Sequence, residues 1–375
     1  MVVSAKDGLK LVGISVVSFC AVFVCTFFIN YYIDVHAIER DVPGAYMPLY
    51  DAQVAMSRLV CGITGGVLGA IVVIMLAFYI KLYIDGNAKR FGLFKAMGYS
   101  ENRLAAAFWV FGLAVLVGAG AGCAGGYAAM PAVYDNMTIG ELSVPIGFHA
   151  WLPFALVLLP SVLSALVACV YARIKLRGGA LDMLKGKARS TEKRTFDSGK
   201  PFLAEMRRAV LCSNKSVVFF VAFACFCFAA MVQMSLSMRT LSSELMGGMI
   251  FAIGVVLSAT AMIMAVTTVI TRNSRNIAVM KACGYSVKQC AVAVLCGYIP
   301  FAVLGFAIGT VYQYGLLKIM CDILFADVAI VPDYSFDVPM FFATLAAFMI
   351  SYSATMLYYA RKIDKVSLKQ IMLAD

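Results

Sequence analysis

The chain has 375 residues, 62% apolar and only 14% charged, with a formal net charge of +11. Soluble domains carry about 25% charged residues, so this composition excludes an ordinary water-soluble globule. A disulfide-stapled secreted scaffold is excluded too, because nearly all of the twelve cysteines fall within apolar runs or at their inner ends, with only Cys321 near an outer surface.

In chain order, an amphipathic opening, MVVSAKDGLKL, leads into the first apolar run, Leu9–Tyr32. That run is too long for the core of a signal peptide and lacks a small-x-small cleavage site after it, so it reads as a membrane span. A loop of about 25 residues precedes the second run, Leu59–Ile84. The polar stretch AKRFGLFKAMGYSENRL (Ala88 to Leu104) then leads into a third run, Leu104–Met130. After a loop of about 20 residues comes the fourth, Trp151–Ala172. Next, KLRGGALDMLKGKARSTEKRTFDSGKP is rich in Lys, Arg, Gly and Ser and reads as a solvated linker. It is followed by PFLAEMRRAVLCSNK, which sets Phe202, Leu203, Met206 and Val210 opposite Glu205, Arg207 and Arg208, the pattern of a helix lying in the membrane interface. Four further runs close the chain: Val217–Met238, Met246–Thr271, Ala291–Leu317 and Met340–Ala360. Each run approaches the roughly 20 residues a helix needs to cross a hydrocarbon core. None shows the alternation of a transmembrane β-barrel.

Charge orients the eight predicted spans. With both termini inside, 27 of the 31 Lys and Arg residues lie on inner segments, leaving only Arg40, Arg58, Arg239 and Lys318 outside. Acidic residues divide 9 inside and 11 outside. The net charge of +11 is thus a positive-inside bias, and no aromatic interleaving in the basic stretches suggests nucleic-acid binding.

The second half repeats the first at an offset of 186 residues. Lys95-Ala96-x-Gly98-Tyr99-Ser100 returns as Lys281-Ala282-x-Gly284-Tyr285-Ser286, and spans two, three and four shift onto six, seven and eight. The chain therefore reads as a tandem duplication of a one-plus-three helix unit. Residues 1–188 hold the first four-span repeat with its cytoplasmic exit. Residues 189–375 hold the linker, the interfacial helix and the second repeat. Four spans per unit make this a parallel repeat about an axis along the membrane normal.

The repeated polar segment reads as a rigid elbow. Lys89–Met97 and Arg275–Cys283 are predicted to be short helices, with Phe91, Phe94 and Met97 at spacing three in one and Ile277, Met280 and Cys283 in the other. Gly98 and Gly284 stand where a helix stops in the left-handed conformation. Ser100 and Ser286 follow as N-caps of the next span, and Ser286-x-x-Gln289 is a capping box. Tyr99 and Tyr285 fall at headgroup level. A push on the short helix would pass to the span joined to it.

At these residues the chain resembles the permease subunits of the FtsX/MacB-like ABC transporter superfamily. RFGLFKAMGYS carries Gly92, Lys95, Ala96, Gly98 and Ser100 at the family's positions, and NIAVMKACGYS carries Lys281, Ala282, Gly284 and Ser286. Arg90 and Asn276 stand where the family has an acidic residue. The large external domain common in the family has no counterpart in these short loops. The resemblance implies an all-α polytopic membrane protein of two FtsX-like four-helix repeats. It also implies that the segments from Lys89 to Ser100 and from Arg275 to Ser286 contact separate cytoplasmic ABC ATPase subunits, two per chain. ATP and Mg would be bound by those subunits, since this chain has no G-x-x-x-x-G-K-[S/T] loop.

Other candidates are weaker. Gly118, Gly122 and Gly126, with Gly62/Gly66, Gly65/Gly69 and Gly305/Gly309, have the four-residue spacing that lets helices approach closely. No acid or base falls in the middle of a span, which disfavours an ion-coupled carrier. His36 and His149, with Asp34, Tyr46 and Met47 at the outer face, read as interfacial polar residues before they read as metal or haem ligands; no metal site is expected. The expected function is the non-enzymatic membrane subunit of an ATP-driven transporter in a bacterial cytoplasmic membrane, exporting or extracting an apolar or amphipathic compound or peptide. The alternative is a non-transporting switch that relays ATPase motion or an external signal.

Overall fold

A computed structural model describes residues 8–62, 65–66, 69–86, 88–135, 144–177, 202–213, 215–241, 244–324 and 336–364. The described residues are helical with connecting turns. In the first half, α1 (Gly8–Ala37), α2 (Met47–Cys61), α3 (Gly69–Gly86), α4 (Ala88–Ala96), α5 (Glu101–Ala106), α6 (Val110–Tyr134) and α7 (Leu159–Leu176) follow in order. The second half has α8 (Phe202–Ser213), α9 (Lys215–Leu241), α10 (Glu244–Ala282), α11 (Val287–Val294), α12 (Ile299–Leu324) and α13 (Val338–Asp364). Short 3-10 turns join α5 to α6 at Ala107–Trp109 and α11 to α12 at Cys296–Tyr298, so the third span of each half carries a step in the same region. The predicted linker lies outside the described residues beyond Arg177, its first residues Lys175 and Leu176 ending α7, and so does most of the N-terminal amphipathic segment.

Among the described residues, seven helices are long and apolar enough to cross a membrane: Leu11–Ala37, Glu101–Ala132, Trp151–Leu176, Lys215–Ser237, Phe251–Ile270, Val292–Ile319 and Val338–Tyr358. The predicted second span, Leu59–Ile84, differs. Its apolar helix is the shorter Val72–Ile84, and the run is interrupted between α2 and α3 by π-helical geometry at Gly62, Gly65 and Gly66. Four glycines in Gly62–Gly69 explain this, since glycine loses the most conformational freedom on entering a helix. Gly62 and Gly66 are exposed, and a side chain at Gly66 or Gly69 would meet open space. The close helix packing expected of Gly62 and Gly66 is therefore not made there. Gly65 comes nearest to it, 3.5 Å from Ile29 Cδ1 of α1.

The central glycines do pack backbone to backbone. Positions for a Cβ on Gly118 and Gly122 of α6 fall on the carbonyls of Ser15 and Phe19 of α1, the latter at 2.5 Å, and Gly126 lies against Phe23 and Thr26. In the second half, Gly305 and Gly309 of α12 meet the carbonyls of Ala222 and Phe226 of α9, the latter at 2.6 Å. Each half thus rests on one tightly crossed pair, α1 with α6 and α9 with α12. Such contacts gain dispersion energy and Cα–H···O bonds where the hydrophobic effect cannot drive helices together. Ser15 Oγ adds a hydrogen bond to Ala114 O at 2.8 Å.

The halves interlock. α10 lies on α1, where Gly13 faces Met264, and α3 lies on α9, where the rings of Phe78 and Phe219 are 4.9 Å apart. At the end of α3, Arg272 Nη2 of α10 donates to Leu82 O at 3.2 Å. One continuous apolar core runs through both halves.

Candidate functional site

The two elbows share one backbone solution. Gly98 has φ +91° and Gly284 φ +86°, and they alone among the described residues have positive φ. At the first, Gly98 N donates to Lys95 O at 3.0 Å and Tyr99 N to Phe94 O at 3.1 Å. At the second, Gly284 N donates to Lys281 O and Tyr285 N to Met280 O, both at 3.1 Å. These are the paired bonds of a Schellman helix stop. The apolar contact that accompanies this motif is also present, with the rings of Phe94 and Tyr99 5.8 Å apart, edge to face.

The stripes are only partly as expected. Phe91, Ile277 and Met280 are buried, and Phe91 packs on Phe108 with ring centroids 5.2 Å apart. Phe94 and Tyr285 pack half-buried against the core, and Gly92 is buried. Met97 and Cys283, expected on the same inward stripe, are exposed instead, because the chain leaves the helix there and turns away. Leu93 and Val279, at equivalent positions, are also exposed, so each elbow presents a small apolar tip. Arg90, Ala96 and Ala282 are exposed and Asn276 is half-buried. Lys89 and Arg275 fall on α4 and α10.

Two further differences separate the elbows. The predicted second short helix, Arg275–Cys283, is no separate element: Thr271–Ala282 contains no glycine or proline, and α10 runs unbroken through it. At 39 residues and 1.5 Å per residue, α10 is about 58 Å long, nearly twice a hydrocarbon core of about 30 Å. The caps differ as well. Ser286 forms the predicted box, with Ser286 N donating to Gln289 Oε1 at 2.9 Å and Gln289 N to Ser286 Oγ at 3.3 Å. Ser100 occupies the cap position, but its side chain makes no capping bond. The first elbow is instead tied by Lys95, whose Nζ lies 2.6 Å from Glu101 Oε1 and donates to Leu176 O at 2.7 Å. That bond places a cation on the last carbonyls of α7 and fastens the elbow to the end of span four.

A second polar cluster, not anticipated as a unit, sits at the opposite end of the first half. Asp34 is buried and accepts hydrogen bonds at Oδ2 from Asn30 Nδ2 (2.7 Å), Tyr134 OH (2.9 Å) and Gly147 N (3.2 Å). His149 Nε2 lies 3.0 Å from its Oδ1. The signal available in the sequence was Asn30 and Asp34 one helical turn apart. His36 points elsewhere, with Nδ1 2.9 Å from Tyr32 O, and Tyr46 and Met47 are exposed. Among the described residues no group of His, Cys, Asp and Glu is arranged to hold a metal ion. Deeper in its own span, the second half holds a buried network of neutral groups: Gln233 Nε2 donates to Thr310 Oγ1 and Thr344 Oγ1, each at 3.0 Å.

The FtsX-like permease C-terminal family profile matches residues 62–180 and again 248–368, two segments that start 186 residues apart, as the elbows do. No curated protein and no solved structure matches the chain.

Proposed function

The chain belongs to the FtsX-like permease family of multi-pass membrane proteins, and from that premise we propose that it is the transmembrane permease subunit of an ATP-driven transporter, with two permease repeats in one chain. The observation that carries this reading is the pair of Schellman-closed elbows, each ending in exposed apolar residues, Leu93 and Met97 in one and Val279 and Cys283 in the other. Two such tips are suited to apolar sockets on two copies of a cytoplasmic ABC ATPase, which would supply the ATP and Mg chemistry. The reading counts the helix around Val72–Ile84 as an eighth span and places both termini in the cytoplasm of a bacterial cell. Spans two to four then move against six to eight as the elbows are pushed. Because the outer loops are short, the cargo is proposed to be an apolar or amphipathic compound or peptide, taken up from within the membrane and exported or extracted.

Purification of the chain from its native host in mild detergent, with mass spectrometric stoichiometry, tests the assembly. Two ATPase copies per chain are expected, and recovery of the chain without any ATPase would overturn the proposal. With the ATPase in hand, Gly98→Val combined with Gly284→Val should leave insertion intact and abolish ATP-driven activity.

A further inference from the structure

Helices α9, α10 and α13 enclose a cleft of about 180 Å³. Phe228 and Val232 form its floor, and Val255, Ala259 and Met262 face Ala347 across it. Its α10 wall lies within the candidate span Phe251–Ile270 and its α13 wall within Val338–Tyr358. The cleft therefore lies at hydrocarbon depth, with Phe251 and Thr355 of its lining near the ends of those spans.

Its origin is a difference between the halves. In the first, Gly112 of α6 admits α7 to direct contact, with a Cβ position 2.6 Å from Ala165 Cβ. The residue 186 positions later is Tyr298, large and buried. α13 accordingly rests chiefly on α9 and α10 and meets α12 through the rings of Phe306, Phe341 and Phe348, and the small side chains of Ala259 and Ala347 leave the gap open.

An apolar gap of this size loses the dispersion contacts of its lining if it stays empty. Water is a poor filler, since an ordered water needs two to four polar partners and the lining is almost wholly apolar. The hydroxyl of Thr355 at one end already donates to Ser351 O at 2.9 Å within its own helix. On its open side the cleft runs past Val255 and Ile263, both exposed on the face that meets the bilayer. The medium continuous with the cleft is hydrocarbon. We propose that the cleft holds a segment of one acyl chain of a bilayer phospholipid, lodged between α10 and α13. This requires only that the protein spans a bilayer, and it stands whatever the permease carries.

The test uses the full chain in nanodiscs of phosphatidylcholine with a mid-chain diazirine on one acyl chain, followed by photolysis and mass spectrometric mapping. Label at Phe228 and Val232, buried behind α10 and α13, is expected to exceed several-fold the label at Leu304, which faces open lipid on α12. Ala259→Phe, or the milder Ala347→Leu, should fill the cleft and remove the label at Phe228 and Val232 while leaving Leu304 unchanged. Label at Phe228 and Val232 no greater than at Leu304 in the wild type overturns the proposal. So does equal labelling of the floor in wild type and a folded filled variant.

Discussion

Gly284→Ala isolates the backbone requirement of the second elbow. A Cβ at this position meets nothing within 4 Å, so there is no collision to relieve. The cost comes from φ +86° alone, and for an L-residue held in the left-handed region it is about 1–2 kcal/mol. The elbow is a local structure at a helix end, so the strain is relieved by opening the Schellman closure and not by unfolding the membrane core. The reporter is the amide of Tyr285, which is bonded to Met280 O at 3.1 Å. A change of one to two kcal/mol alters an opening equilibrium by about 5- to 30-fold. Hydrogen–deuterium exchange of the full chain in nanodiscs should therefore show faster exchange at Tyr285 by that factor, with little change in the middle of α12. Gly120→Ala is the control, because Gly120 also faces open space but sits in ordinary helical geometry. If Tyr285 exchanges at the wild-type rate in Gly284→Ala, the closure does not depend on the left-handed glycine and the elbow is not the rigid joint described above.

Three further outcomes follow from the same geometry. Gly305→Ala drives a methyl group into the carbonyl of Ala222 and should destabilise the α9–α12 pair by about 1–3 kcal/mol, read as a lower unfolding midpoint in detergent; an unchanged midpoint would show that the crossing can widen freely. Lys95→Met removes the Glu101 ion pair and the bond to Leu176 O; global stability should change by less than about 1 kcal/mol, as for exposed pairs, while exchange across Arg173–Arg177 rises. Asp34→Ala leaves Asn30, Tyr134 and the Gly147 amide without their common acceptor, at about 1–3 kcal/mol for a buried group left unpaired. Its signature is loss of exchange protection at Gly147, and retained protection there would mean that the loop is held by other contacts.

Periodicity and charge made the helices legible because membrane spans must satisfy their backbone internally and so announce themselves as long apolar runs. The glycine stops were equally legible, since the left-handed position leaves a local signature in Gly98 and Gly284. What escaped was whatever depends on a partner helix. Gly118 and Gly66 occur in similar four-residue patterns, yet one lies on the backbone of α1 and the other faces open space; spacing alone does not say which neighbour arrives. The continuity of α10 was also hidden, because a polar stretch such as TRNSRN reads as a loop although nothing in it breaks a helix. The Asp34 cluster was legible only in that Asp34 and His149 were both placed at the outer face, and its bonding escaped for a third reason. Its members, Asn30, Tyr134 and His149, come from three segments far apart in the chain.

A duplicated gene held in one chain frees its halves to differ, and here the differences fall on the parts that would carry force. The first elbow is pinned to α7 through Lys95, whereas the second is the end of the unbroken rod α10. Arg272 sits on that rod and reaches across to Leu82 O, near the end of the helix that leads to the first elbow. The aligned position in the first half is Gly86, which cannot return the contact. On the proposed reading, force applied at the second tip travels along α10 and reaches α3 where Arg272 bonds Leu82 O, while force applied at the first tip is shared with α7. The two elbows are then alike in backbone but unequal as levers, and a partner ATPase pair would meet a permease that is symmetric where it docks and asymmetric where it moves.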